Sequence, residues 1–346
     1  MFNQKRIRDY GVTIGRLKTG HRNAISDVPG VMVGHATINN QKDSKTGVTA
    51  ILPHTGNLFK EKLVSANYII NGFGKSIGLV QIDELGQIET PILLTNTLNV
   101  GKVSDALIEY MLKDNEDIGI TTGTINPIVC ECNDAYLNSA RARYVEKHHV
   151  LEALMNAKEE FLEGDIGAGK GMKCYGYKGG IGTSSRIVTV NDNNYTVGIL
   201  VLSNFGKKED LIINGKTNSS ANIDHEQERG SIIFIVATDA PLSSRQLKRV
   251  IKRVEVGLHR TGSYMGNGSG EVAVGFTTAN RVNHYEHNES TSLKVWNESK
   301  IDLLFRAVAE STEEAILNSM ITAETVIGRD DHKLESLKYH IDKYLK

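Results

Sequence analysis

The stretch KTNSSANIDHEQERG (216–230) runs without a break into SIIFIVATDAPL (231–242), and this junction decides how the chain is read. The first run is polar and charged, and its composition cannot offset the entropy of ordering a core segment. The second is an apolar, β-branched strand, with no turn residue to part it from the first. The sequence therefore predicts an exposed loop over 207–230 leading directly into a buried strand, with Gly230–Ser231 as the clearest internal boundary.

A serine in that position is gripped by the sheet on one side and left mobile on the other. Cleavage before it would disturb little structure and would free an α-amine with a pKa of roughly 7.7–8.0, able to take or relay the hydroxyl proton. Gly230 adds no side chain beside the carbonyl that Ser231 would attack in an N→O acyl shift, and its backbone tolerates strained geometry. By itself a Gly-Ser pair is a common loop dipeptide, so the case rests on its surroundings.

The surroundings extend over a chain of 346 residues, 40% hydrophobic and 23% charged, which is enough to bury a sizeable core in one large unit or two domains. Forty basic residues against 41 acidic ones leave a net charge of −1. No global field favours nucleic acid or an anionic membrane, and a small-molecule substrate is expected. No apolar run reaches the roughly 20 residues of a membrane span, and the first ten residues are polar, so the sequence reads as cytoplasmic. Cys130, Cys132 and Cys174 suit neither a disulfide framework nor a zinc site and read as buried reduced thiols.

Short strands are expected within 23–35, 47–53, 63–71 and 91–97, a helix at 105–112, and an amphipathic helix from His149 to Leu162. Further on, 195–204 and 271–278 read as strands. A helix runs to about Leu258 after the candidate cap Ser243, and the last helix covers about 301–327.

Along its whole length the chain resembles the DmpA-type L-aminopeptidase/D-esterase-amidases, which include the β-aminopeptidases. The resemblance is carried by NAISDVPGVMVGH (23–35), GVTAILPH (47–54), NGFGKSIGL (71–79) and ETPILLTNT (89–97). It continues in ECNDAYLN (131–138), GDIGAGKGM with YGYKGGIGTSSR, SNFG (203–206), RGSIIFIVATDAPL, RTGSYMGNGSGEVAVGF and AETVIGRDDH. It implies an α/β fold, a four-layer α/β/β/α sandwich of the DmpA/ornithine-acetyltransferase type. It also implies a precursor that cuts itself between Gly230 and Ser231 into an α segment (1–230) and a β segment (231–346), which together form one sandwich.

By the same resemblance Ser231 is the nucleophile, Ser269 and Glu271 are its relay partners, and Asn204 supplies the oxyanion hole. Tyr136 matches the family's active-site tyrosine. Some members carry Asp where this chain has Glu271. The implied activity is removal of N-terminal residues from short peptides, amides or esters by a homo-oligomer, a tetramer of α/β units, without metal or organic cofactor. The residues alone offer blander readings: a strand-end turn for Asn204, loop for Ser269, a solvated charge for Glu271 and a half-buried phenol for Tyr136.

Two other functions compete. Ornithine acetyltransferases also cut themselves but use threonine where this chain has Ser231, and an uncleaved binding protein would need no nucleophile. Three further signals are set aside. GDIGAGKG (164–171) ends in Gly where a phosphate-binding loop needs Ser or Thr, and it follows a helix instead of a strand. His284-x-x-His287 and His148-His149 lack a ligand set, and the basic run 245–253 lies opposite an apolar stripe.

Overall fold

The computed structural model describes residues 4–217 and 228–345. The central part of the predicted loop, 218–227, lies outside the described residues. Just before it, Ile212–Ile213 and Lys216–Thr217 pair as a short hairpin.

Two sheets are stacked face to face. One holds β1 (Met32–Ile38), β2 (Thr46–Leu52), β5 (Ile92–Asn96) and β6 (Ile128–Cys132), in that order. The other has six strands in the order β4 (Gln87–Ile88), β3 (Glu61–Gly72), β10 (Gly268–Asn283), β9 (Arg229–Thr238), β8 (Asn193–Asn204) and β7 (Gly180–Val190). Side chains alternate along a strand, so a strand buried on both faces reads as one continuous apolar run. In β9, Ile233, Ile235 and Ala237 enter the core between the sheets, whereas Ile232, Phe234 and Val236 enter a second core beneath helices. In β8, Leu200 and Leu202 face inward while Ile199 and Val201 face outward.

The outer core of the six-stranded sheet is roofed by α4 (Ser244–Ile251), α5 (Val254–Arg260) and α6 (Asp302–Ile321). That of the four-stranded sheet is roofed by α2 (Val100–Lys113) and α3 (Lys147–Met155). A small helix, α1 (Leu79–Leu85), packs against β3. The result is the expected α/β/β/α sandwich, in which 4–217 and 228–345 both contribute strands to the six-stranded sheet. β9 and β10 are parallel, so the chain must cross over between them, and it does so through α4 and α5 on the outer face.

Within the outer layer, the buried Arg186 of β7 bonds Glu314 (2.6 Å) and Glu310 (3.3 Å) of α6. Arg8 joins the cluster through Glu314 at 2.6 Å. Burial pushes the Glu314 carboxyl up, but the hydrogen bond from Arg8 and the charges of Arg186 and Arg8 outweigh it and leave the pKa lowered.

Several expected elements differ. The helix predicted to Leu162 stops at Met155, because Phe161 leaves the helical stripe to enter the core between the sheets while Val150 and Leu154 stay under α3's own roof. The helix to Leu258 is two helices, α4 and α5. The helix predicted at 105–112 extends over Val100–Lys113. The strand sought in 23–35 begins only at Met32. Asn23 has φ of 51°, and Ile25–Asp27 is a 3₁₀ turn. Residues 167–171 form a 3₁₀ turn, with Lys170 paired to Asp165 at 2.7 Å. The three cysteines are free and buried.

Candidate active site

Ser231 enters the sheet near the start of β9, where the apolar run begins, and is 4% exposed. Its neighbours follow from register. On the antiparallel side Ser231 is paired with Asn204, the last residue of β8. On the parallel side it is paired with Gly270, so Ser269 and Glu271 lie one residue to either side of its partner. Residues distant in sequence thus meet at the same end of three central strands.

The Ser231 hydroxyl donates to the carbonyl oxygen of Gly230 at 2.5 Å, so it sits beside the carbonyl group it would attack in self-cleavage. A Cβ on Gly230 would come 2.4 Å from the Asn204 carbonyl oxygen and 2.8 Å from the Phe205 Cα, distances that real Cβ atoms do not adopt. Glycine is required here by the close approach of β8 and the scissile segment.

Asn204 is 7% exposed, and its Oδ1 accepts the backbone N–H of Lys173 at 2.8 Å. A backbone amide can only donate, so this bond fixes which end of the side-chain amide is oxygen and leaves Nδ2 as the donor for an incoming oxyanion. Lys173 is positioned in turn by its surroundings: the buried Lys178 ammonium donates to the carbonyls of Gly169 (2.8 Å), Met172 (3.0 Å) and Gly179 (2.6 Å).

The i, i+2 spacing of Ser269 and Glu271 puts them on one face, and the Ser269 hydroxyl donates to Glu271 Oε1. Both are fully buried. Glu271 Oε2 is buried with no hydrogen-bond partner among the described residues. Desolvation pushes the Glu271 carboxyl up to about 7, opposed by the Ser269 hydrogen bond and reinforced by the charge of Glu228. A carboxyl poised there can change protonation state near neutrality. Among the described residues the Ser231 hydroxyl makes no hydrogen bond to Ser269 or Glu271, so the pair flanks the Ser231 backbone rather than its side chain.

Tyr136 lies farther out and is 38% exposed. Its ring stacks on His332 at 4.5 Å, and the Lys173 ammonium sits over it at 4.8 Å. It connects to Asn204 through Lys173, and its hydroxyl makes no hydrogen bond to Ser231 or Asn204 among the described residues.

Two side chains escaped the sequence reading. Asn71 donates to the carbonyls of Ser269 (2.6 Å) and Gly266 (3.0 Å), and a register shift in the β3–β10 pairing next to Glu271 places it there. Glu131 is 3% exposed, accepts the Lys75 N–H at 2.8 Å and the Thr97 hydroxyl, and lies against Gly74. Gly74 adjoins Gly270, so Glu131 is a buried carboxylate on the four-stranded sheet that borders the site. The signal for Glu131 was a charge inside an apolar strand, IVCEC. For Asn71 there was none, because an Asn-Gly pair reads as a turn. His284 bonds the Thr122 hydroxyl at 2.5 Å, and its ring lies tilted against Phe59 at 4.2 Å. Among the described residues no group of three or more His, Cys, Asp or Glu could hold a metal, and no helix is long and apolar enough to cross a membrane.

Comparison with known proteins places this geometry. The family described as Peptidase family S58 matches residues 23–334. Beta-peptidyl aminopeptidase BapA of Sphingosinicella microcystinivorans is 34% identical over 361 aligned positions, spanning 96% of this chain and 90% of that protein. Among solved structures, the PH0078 protein of Pyrococcus horikoshii OT3 is 50% identical with a TM-score of 0.93, each chain covered to 99%. A Burkholderia sp. beta-aminopeptidase is 36% identical with a TM-score of 0.91 over 98% of each chain. The L-aminopeptidase D-Ala-esterase/amidase of Ochrobactrum anthropi, described as a prototype of the serine aminopeptidases and a variant of the Ntn hydrolase fold, is 32% identical with a TM-score of 0.89. The match covers 97% of this chain and 98% of that one.

Proposed function

Because the chain belongs to peptidase family S58, we propose that it matures by cutting its own Gly230–Ser231 bond and then acts through the freed Ser231 as an N-terminal serine aminopeptidase. The observation that carries this reading is the placement of the Ser231 hydroxyl 2.5 Å from the Gly230 carbonyl oxygen, across from an asparagine whose amide nitrogen is kept available as a donor.

In self-cleavage, Ser231 Oγ bonds to the Gly230 carbonyl carbon, the carbon–nitrogen bond breaks, and the hydroxyl proton passes to the departing nitrogen. Water then opens the resulting ester, leaving a Gly230 carboxylate and a free Ser231 α-amine. In turnover, Ser231 Oγ attacks the carbonyl of a substrate's N-terminal residue, the α-amine takes the hydroxyl proton and delivers it to the leaving amine, and Asn204 Nδ2 binds the oxyanion. Water releases the acyl group. Ser269 and Glu271 act on the α-amine, which appears on the backbone they flank. The orphaned Glu271 Oε2 supports this role, since an ammonium there would gain a buried carboxylate partner.

Glu131 is suited to the ammonium of the substrate, and Tyr136 to the rim of the site. The substrates are short peptides, amides or esters, and the names of the beta-aminopeptidase relatives support including β-amino acyl groups among them. We place the enzyme in the cytoplasm as a homo-oligomer. The test is intact mass of wild type and Ser231→Ala, together with turnover of a panel of α- and β-aminoacyl amides. Wild type should give two fragments and turnover, and the variant one 38.0 kDa chain and none. A variant that still splits and still hydrolyses the amides would overturn the mechanism.

A further inference from the structure

We propose that Glu228 is the positioning residue for self-cleavage, its buried carboxylate pinning the end of the α segment between the loop that follows Asn204 and the turn that leads into Ser269. The inference rests on the reading that the chain is cut at Gly230–Ser231.

Glu228 lies two residues before the scissile bond and is 5% exposed. Its Oε1 accepts the N–H of Gly206 at 2.9 Å, and its Oε2 accepts the N–H of Gly266 at 3.1 Å. Gly206 is two residues beyond Asn204. The Gly266 carbonyl in turn accepts the Ser269 N–H at 2.9 Å, so one carboxylate ties the oxyanion side of the site to the Ser269–Glu271 side, with the scissile segment between them. The fit is close: a Cβ on Gly266 would come 2.7 Å from the Glu228 Cβ and 2.9 Å from its Oε2. The glycine of MGNGSGE at that position is therefore explained by the space Glu228 fills.

An ionised carboxylate accepting two backbone N–H groups holds them more firmly than a neutral side chain can. Burial raises the Glu228 pKa and the two backbone bonds oppose it. The groups facing it are Asp210 and Lys207, Tyr264, Glu271 and the buried Cys174 and Tyr175. Cleavage adds a Gly230 carboxylate to this already acidic enclosure, an arrangement that favours withdrawal of the tail once its task is done.

The test follows self-cleavage of the freshly translated full chain by denaturing gel and intact mass from pH 5 to 9. It compares wild type, Glu228→Gln and Glu228→Ala with the uncut Ser231→Ala reference, and circular dichroism reports folding. Glutamine keeps the shape and one acceptor but turns an NH₂ toward the second backbone donor, so both variants should cut roughly tenfold or more slowly near neutral pH. The wild-type rate should also fall toward acid as the Glu228 carboxylate takes up a proton and loosens its hold on Gly206 and Gly266, a limb that the Glu228→Gln profile should lack. A folded Glu228→Gln chain that cuts at the wild-type rate, or more slowly with the wild-type pH profile, overturns the inference alone. A wild-type chain that stays whole, or a Ser231→Ala chain that splits, overturns the cleavage reading and this inference with it.

Discussion

Asn204 and Ser231 are paired across the β8–β9 ladder, and the Asn204 side chain is turned by the Lys173 N–H so that its nitrogen is the end left to donate. A rigid antiparallel pairing therefore sets the spacing between the proposed nucleophile and its oxyanion donor, and a backbone bond sets the orientation. Neither depends on a flexible loop.

If Asn204 stabilises an oxyanion that exists only in the transition state, Asn204→Ala should lower kcat by about 10²–10³-fold with little change in KM. Steady-state kinetics on an aminoacyl amide reads this directly. A rise in KM at constant kcat would mean that Asn204 binds ground-state substrate instead.

Gly230→Ala should slow self-cleavage roughly tenfold or more, since the new methyl must displace the Asn204 carbonyl or the Phe205 backbone. A time course of fragment appearance tests it. Wild-type kinetics in a folded Gly230→Ala chain would show that the strands separate before the bond is cut.

The Glu271 carboxyl, pushed up to about 7, ties activity and stability to pH. Its folded pKa lies above the unfolded value of about 4.3, so between these two values the folded state holds the extra proton and stability falls as pH rises. Glu271→Gln should keep the bond from Ser269, remove this slope, and gain stability relative to wild type at pH 8 more than at pH 5. Activity should move the opposite way, with wild type losing kcat toward acid as Glu271 takes up a proton and the variant nearly inactive. Urea unfolding and kcat at both pH values provide the check.

The Arg186–Glu314 contact should behave as a buried pair. Removing Arg186 leaves the buried Glu314 with Arg8 as its one cationic partner and takes the buried guanidinium from Glu310, so Arg186→Met should destabilise by about 3–5 kcal/mol in denaturant unfolding. The lowered pKa of Glu314 gives the opposite sign from Glu271. The stability it provides is present above the unfolded carboxyl pKa and fades as pH falls through the lower folded value, so wild type should lose its advantage over the variant in acid.

The layers were legible in the sequence because apolar runs report burial locally: β8 and β9 read as buried strands, and the structure covers both faces of each. The helix predicted to Leu162 was misplaced because periodicity cannot tell which core an apolar residue enters, and Phe161 belongs to a different core from Val150. Tyr136 could be named from its motif, yet its stacking on His332 joins residues 196 positions apart that no local pattern connects.

The sequence by itself determined that an apolar, buried strand runs on from Ser231, because composition and β-branched periodicity are properties of the residues themselves; the exposed loop expected over 207–230 is corrected by the structure, which buries Leu211, Ile213 and Glu228 and starts the strand at Arg229. The partnership of Ser269 with Glu271 came from the family resemblance, and the structure supplies the strand on which their two-residue spacing gives a shared face. Only the tertiary structure decided that Ser231 lies between Asn204 and Gly270, that Lys173 orients Asn204, and that Glu228 and Asn71 brace the turn before Ser269. Those relationships depend on strand order and register, which arise when distant segments pair to satisfy backbone hydrogen bonds and bury both faces of a sheet.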